Sequence, residues 1–327
     1  MPAKNIRVVA LCGGVGGAKL ALGLYRVLPP DELMIVVNTG DDFEHLGLHV
    51  SPDLDTVLYT LAGLSDMERG WGRAGETWQF MAALTEMGGE SWFNLGDRDL
   101  AIHVLRTKWL RSGKPLSGFF ADMSRRLGIR AALLPMSDDA VRTVVDTAEG
   151  ALTFQRYFVE RRCEPRICGI RFGGAATARP TEGIEAALSA PTLEAVIICP
   201  SNPYLSVDPI LAVPALRAAV VRTSAPVVCV SPIIGGRAVK GPTRKIMDEL
   251  GVTAGLPAIA DHYDGLIDGL VADRADADEA AGLPVKVALT SALMRTMEDR
   301  ENLAREVLEH ARAISPSRPI PRHARRS

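Results

Sequence analysis

The sequence predicts an α/β fold: a Rossmann-like, mainly parallel, doubly wound sheet that carries a helical and β-hairpin insertion. Three observations lead there. The chain opens on an apolar run that breaks into paired glycines and then a basic residue, VVALCGGVGGAK at 8–19. Short, almost continuously apolar segments recur in the second half, separated by helical stretches. Between these two sections lies one of different character. Strands covered by helices on both faces read as unbroken apolar runs. Parallel strands joined by helical crossovers bind their ligands beyond the carboxyl ends of the sheet.

In chain order, the first strand is expected at 6–11, a helix at about 17–27 and a second strand at 33–38. From 56 to about 127 the pattern is mostly helical, with apolar residues at three-to-four spacing in 99–110 and 115–127. Residues 142–161 alternate as a β-hairpin does, with Glu149-Gly150 as its turn. Further strands are expected at 195–199, 227–230, 269–272 and 285–289. The division that follows is one domain over 1–317, with a core at about 6–55 and 190–314 and an insertion at about 56–189. The basic, proline-broken stretch 318–327 reads as a disordered tail rather than an RNA-binding arm.

Composition narrows the function. With 327 residues, 47% hydrophobic and 23% charged, the chain has ample capacity for a buried core. A formal net charge of -2 supplies no basic field for a polyanion, so nucleic acid is not an expected partner. The five cysteines form no CxxC pair, and Cys12, Cys199 and Cys229 lie in or beside expected buried strands, which suits a reduced, cytoplasmic setting. No apolar stretch is long enough for a membrane span, and the first is too short for a signal peptide.

A strand, a glycine-rich turn and a helix together present unpaired N–H groups and the positive end of a helix dipole. Side chains at Gly13, Gly14, Gly16 and Gly17 would keep an anion away from those groups. The motif is not a Walker A loop, because Lys19 comes too early and is followed by Leu20 rather than Ser or Thr. Nor is it a complete dinucleotide fingerprint, since the third glycine is missing at its offset. A nucleotide phosphate on another architecture is the expected ligand; a plain βα turn is the alternative.

Four carboxylates, Asp41, Asp42, Asp53 and Asp55, fall near the same sheet edge. Beside a diphosphate they would repel it unless a hard cation lay between, and magnesium takes one or two carboxylates together with phosphate oxygens. The expected metal pair is Asp41 and Asp55. Asp53 has the alternative of a helix N-cap, Asp42 of a surface position and Asp41 of a ribose contact. In Asn94-Leu95-Gly96-Asp97-Arg98-Asp99, Asp97 is a candidate to orient an attacking hydroxyl and Arg98 to stabilise phosphoryl charge, with capping and internal pairing as the alternative. Trp71, Trp78, Trp92 and Phe93 offer either a stacking surface for a heteroaromatic ring or core packing. His45 and His49 lack a third ligand for zinc, and His103 reads as structural. Ser201, Asn202, Ser231 and Gly235 follow strands of the second half, where they suit either nucleotide contacts or turns.

GGVGGAK, NTGDD, SPDLDT, RGWG, LGDRDLA, LPMSDD, PSNP and SPIIGG occur in that order across about 6–314. Together they resemble the 2-phospho-L-lactate transferase (CofD) family. The resemblance implies a step in making the deazaflavin coenzyme F-420. A phospholactyl, phosphoenolpyruvyl or phosphoglyceryl group would pass from a guanosine diphosphate conjugate to the ribityl hydroxyl of the deazaflavin Fo, releasing GMP with Mg2+ present. It further implies that Asp41 and Asp55 hold the metal, that Asp55 also lies beside the acceptor with a catalytic part, and that Asn94 contacts the deazaflavin, for which Trp92 is the candidate stacking surface. The glycine turn, Lys19, Ser201, Asn202, Ser231 and Gly235 would hold the guanine nucleotide, and the assembly would be a homodimer. The alternative is the related gluconeogenesis-factor (YvcK-like) family of nucleotide-sugar-binding regulators, against which SPDLDT and LGDRD speak.

Overall fold

The structure, a computed structural model, describes residues 5–66, 69, 71–238 and 242–314; the expected tail at 318–327 lies outside them. The strands are β1 (Val8–Cys12), β2 (Leu33–Val37), β3 (Phe43–His45), β4 (Leu48–Val50), β5 (Ala132–Pro135), β6 (Arg142–Thr147) and β7 (Gly150–Thr153). They continue with β8 (Ile167–Gly173), β9 (Ala195–Ile198), β10 (Val227–Val230), β11 (Ile233–Ile234), β12 (Arg237–Ala238), β13 (Gly269–Asp273) and β14 (Lys286–Thr290). The helices that shape the site are α1 (Gly14–Val27), α2 (Pro52–Leu61), α3 (Gln79–Glu86), α4 (Asp97–Arg111) and α5 (Leu116–Arg126).

Seven strands make one parallel sheet in the order β14-β13-β10-β9-β1-β2-β5. The chain leaves β1 toward β2 and β5 on one side, then returns to β9 beside β1 and builds the other side. Strand order therefore reverses between β1 and β9, and the crevice beyond their carboxyl ends is where open α/β sheets take ligands. Every residue of β1 and β2 is buried. Along β1 the side chains alternate between two cores: Val8, Ala10 and Cys12 pack toward α1, α2 and α5, whereas Val9 and Leu11 pack with Val207 and Ile210 on the opposite face.

The main features of the expected architecture are present, with three differences. The strand β5, which pairs with β2, lies inside the stretch 56–189 that the sequence assigns to an insertion, so part of that stretch belongs to the central sheet. The hairpin turns at Ala148-Glu149, with Gly150 already opening β7 at φ 123, and β8 adds a third strand that the alternation did not announce. Helix α1 begins at Gly14 rather than Gly17, so the second glycine pair is its first turn and not a loop.

Close packing fixes a further glycine. A Cβ on Gly23 of α1 would stand 2.2 Å from the carbonyl oxygen of Arg300 in the last helix, Met297–Ala313. Gly23→Ala is therefore expected to destabilise the protein by about 1–3 kcal/mol through overpacking. Urea denaturation measures it, and an unchanged midpoint would contradict this account of the crossing.

Candidate active site

Beyond the carboxyl ends of β1 and β9 lies a cavity of about 640 Å³ whose lining includes Gly13, Gly14, Gly16, Lys19, Asp41, Asp53, Ser201 and Asn202. Ser231 and Asn94 also line it, as do the aromatic side chains Trp71, Phe93, Phe154 and Phe158. The lining is thus part polar and glycine-rich, part aromatic.

The glycines are small for reasons that differ from an anion's need of space. A Cβ on Gly13 would meet Asp53 Oδ2 and Ser206 Cβ, each at 2.6 Å, and one on Gly16 would lie 2.4 Å from the Pro200 carbonyl oxygen. Gly17, which does not line the cavity, leaves room for Ser201 Oγ, 2.4 Å from the position of its absent Cβ. Only Gly14, at φ +63, needs the left-handed backbone. The hydroxyl of Ser201 donates to the Gly13 carbonyl at 2.8 Å and accepts from the Gly13 N–H at 3.2 Å, so it is a strut for the turn. The glycines thus let the N-terminus of α1 seat against Pro200-Ser201 and α2.

The four carboxylates are all buried and sort into two pairs. Asp41 and Asp53 line the cavity. Asp53 accepts from the Asn38 amide at 3.0 Å and from the Gly14 N–H, so it caps α1, not the helix that contains it. Burial, followed by the Asn38 and Gly14 bonds that oppose it, leaves its carboxyl at about 6. Burial and then the charge of Asp53 push the Asp41 carboxyl well up. Asp41 Oδ1 is buried without a hydrogen-bond partner.

The outer pair differs. Asp42, expected as a surface residue, is 3% exposed and accepts from Ser51 Oγ at 2.9 Å. Burial raises its carboxyl to about 7 against the opposing pull of Arg142 and Arg106. Asp55, expected as a metal ligand and catalytic residue, does not line the cavity. Its two oxygens accept from Arg106 Nη1 at 2.6 Å and Nη2 at 3.0 Å. In this structure a wholly buried guanidinium thus holds both oxygens of Asp55.

Several other expectations shift. Asp97 and Arg98 do not line the cavity. Asp97 accepts from Thr77 Oγ1 and from the backbone N–H groups of Gln79 and Phe80, both at 3.1 Å, and so caps α3. Those bonds, the Thr77 hydroxyl first, hold its carboxyl below the usual range, which disfavours it as a base. Arg98 lies exposed against Gly75. Trp92 packs on His45 and under Arg156, 4.6 Å from its ring centroid, and leaves the cavity wall to Phe93 and Trp71. Gly235 is also outside the lining; at φ +57 it turns the β11–β12 ribbon. Asn202 remains at the wall, but its carbonyl accepts from Tyr204 N and Leu205 N and its amide donates to Thr243 Oγ1, so its first task is to cap a turn. Lys19 lines the cavity while its amine donates to the Met294 carbonyl at 2.9 Å.

Sequence reasoning missed two π-helical turns, Arg156–Glu160 and Pro203–Val207, which border the same cavity. Such wide turns are rare and concentrate at functional sites. The first carries Phe158, stacked on Phe154 at 5.2 Å and 23°, beside Gln155, whose amide donates to the Asp41 carbonyl at 3.3 Å. The paired phenylalanines were a visible signal; the widened turn was not. Asn-Pro at 202–203, a cap followed by proline, was readable.

A doubly wound parallel sheet with a capped glycine turn at its switch point and paired acids beside it defines a Rossmann-like α/β protein. Comparison with known proteins narrows the class. The chain belongs to the family described as 2-phospho-L-lactate transferase CofD, whose model matches residues 8–310. It is 39% identical over 320 residues to a phosphoenolpyruvate transferase of Streptomyces avermitilis, covering 94% of this chain and 99% of that one. It is 37% identical over 311 residues to a 2-phospho-L-lactate transferase of Methanosarcina mazei, covering 92% and 99%. A crystal structure of a UPF0052-family protein from Bacillus halodurans shares the fold at a TM-score of 0.61 and 17% identity, covering 93% of this chain and 99% of that one.

The outer carboxylates lie beside His49, whose ring burial, with the nearby arginines, lowers to about 3. In the unfolded chain the ring protonates near 6.5. The unfolded state therefore binds the proton first, and stability is lost as pH falls below about 6.5. Relative to His49→Gln, the wild-type protein should lose about 1–2 kcal/mol between pH 7 and 5. Urea titrations of both proteins test this, and a pH-independent difference would contradict it.

Proposed function

We propose that this chain transfers a phosphorylated three-carbon acid from a guanosine diphosphate conjugate to the ribityl hydroxyl of Fo and releases GMP. The carrying observation is that one cavity joins the capped N-terminus of α1 and the Asp41–Asp53 pair to an aromatic wall. Family membership and the names of both relatives support the same reaction class. Those relatives carry different acids at similar identity, so the donor is left as lactyl, enolpyruvyl or glyceryl.

The acceptor hydroxyl oxygen attacks the phosphorus that bears the acid, a P–O bond forms, the P–O bond to the GMP phosphate breaks, and the hydroxyl proton passes to solvent. No covalent enzyme intermediate is needed, so positioning and charge neutralisation do most of the catalytic work. The positive dipole end of α1 favours the donor's diphosphate, and Lys19 adds a cationic amine at the same wall. Ser231 and Asn202, from the turns after β10 and β9, lie where the nucleoside would extend. The flat acceptor fits against Phe93, Phe154, Phe158 and Trp71, with Asn94 and Gln155 offering polar contacts.

Asp41 and Asp53 suit a divalent cation: two buried carboxylates, of which Asp53 is held by an amide and a backbone N–H and Asp41 has one oxygen unpartnered. Mg2+ bound there would neutralise the pair and polarise the diphosphate. This reading replaces the expected Asp41–Asp55 pair with Asp41–Asp53.

Incubation with Fo, MgCl2 and each of the three donors should release GMP and yield one deazaflavin product of the matching mass. Asp41→Asn and Asp53→Asn should each lower kcat/KM by about 100-fold or more, of the order seen when a charge-stabilising group is lost. Absence of GMP with every donor, or full turnover by folded Asp53→Asn, would overturn the proposal.

A further inference from the structure

Helix α4 packs contrary to its apolar pattern. Val104 and Leu105 are 48% and 52% exposed, while His103, Arg106 and Thr107 are buried. An amphipathic helix turns its apolar side inward, so something stronger sets this orientation. The guanidinium of Arg106 has no exposure, and each of its nitrogens is hydrogen-bonded. Nε and Nη2 donate to the His49 carbonyl at 3.0 and 2.9 Å, and Nη1 and Nη2 grip Asp55. Nη2 also lies 2.7 Å from His103 Nδ1, and the plane faces Phe119 and Phe120 at 5.9 and 5.8 Å. A buried guanidinium tolerates its lost hydration only when paired and bonded in this way.

The consequence reaches the cavity. His49 is the middle residue of β4, the strand that leads through Val50 to Ser51, and Asp55 lies in the same first turn of α2 as Asp53. Fixing the His49 carbonyl and the Asp55 carboxylate fixes both ends of the short segment that carries Asp53. The arrangement also decides which acids stay open to a cation. Ligand atoms of Asp55, Asp99 and His103 lie within 4.8 Å of one another, as a metal site requires, yet the guanidinium already occupies that cluster with its positive charge.

We infer that Arg106 is a positioning residue for the cation site: it closes Asp55 to metal and holds α2 so that Asp53 faces Asp41 across the cavity. The inference rests on the Asp41–Asp53 reading above and extends it to a residue that touches neither substrate nor ion.

The test is Mn2+ binding to the full chain, followed by electron paramagnetic resonance below the melting temperature of each variant. Arg106→Lys keeps the charge but loses the planar fork. Arg106→Met combined with Asp55→Leu removes the pair together and leaves no unpaired buried charge, so it keeps the test open if the single variant fails to fold. Each folded variant should bind Mn2+ at least about tenfold more weakly, a loss of about 1.4 kcal/mol. A merely structural role would lower the melting temperature and leave that Kd unchanged, and wild-type affinity in either folded variant would overturn the inference alone. If the unaltered protein binds no Mn2+, or Asp41→Asn leaves its binding intact, the Asp41–Asp53 reading fails and the inference falls with it.

Discussion

Four buried aspartates share this corner of the fold with two arginines, and the division of that positive charge shapes the rest of the site. Arg106 holds Asp55 through a two-toothed ion pair, and with Arg142 it acts on Asp42. Removing one partner of such a buried pair typically costs about 3–5 kcal/mol, because the other charge is stranded. Asp41 and Asp53 receive only neutral hydrogen-bond donors. Two buried carboxylates in that position must hold a proton or recruit a cation. The charge imbalance is therefore local, and it faces the cavity rather than the core.

Backbone geometry places that imbalance at the sheet's switch point. The strand β1 ends where α1 begins, Gly13 and Gly14 make the change of direction, and Ser201 braces the turn from the neighbouring strand's loop. Asp53 already takes one N–H at the helix start, so a diphosphate there would sit beside a carboxylate. That contact is repulsive unless a divalent ion is shared between them, which links the acid pair and the helix terminus into one binding event. The aromatic lining comes from elsewhere: Phe154 and Phe158 from the hairpin and its π-helical turn, Trp71 and Phe93 from the segments between α2 and α4.

Legibility in the sequence followed locality. Continuous apolar runs gave the parallel strands, and the glycine-rich stretch after β1 marked the crevice, because both signals are written in adjacent residues. The short strand Ala132–Pro135 escaped because four residues after a helix carry little periodicity of their own. Asp53 was ambiguous for a physical reason: its partner, Gly14, belongs to another helix, and no spacing in SPDLDT reveals it. Apolar spacing announced α4 as a helix but could not tell which side faces inward, because a buried ion pair, Arg106 with Asp55, lies on the inner side while Val104 and Leu105 stay half exposed. Asp97 had the right residue type in a promising motif, yet the donors of Thr77, Gln79 and Phe80 claim it.

On the proposed reading, a divalent ion binds between Asp41 and Asp53 and meets the nucleotide's phosphates there. Crystals grown with GDP and Mn2+ and measured at a wavelength where manganese scatters anomalously address it directly. The account expects one strong anomalous peak touching both carboxylates and a phosphate oxygen, with Asp55 still on Arg106. A peak among Asp55, Asp99 and His103, or a bound nucleotide with no peak beside Asp41 and Asp53, would contradict it.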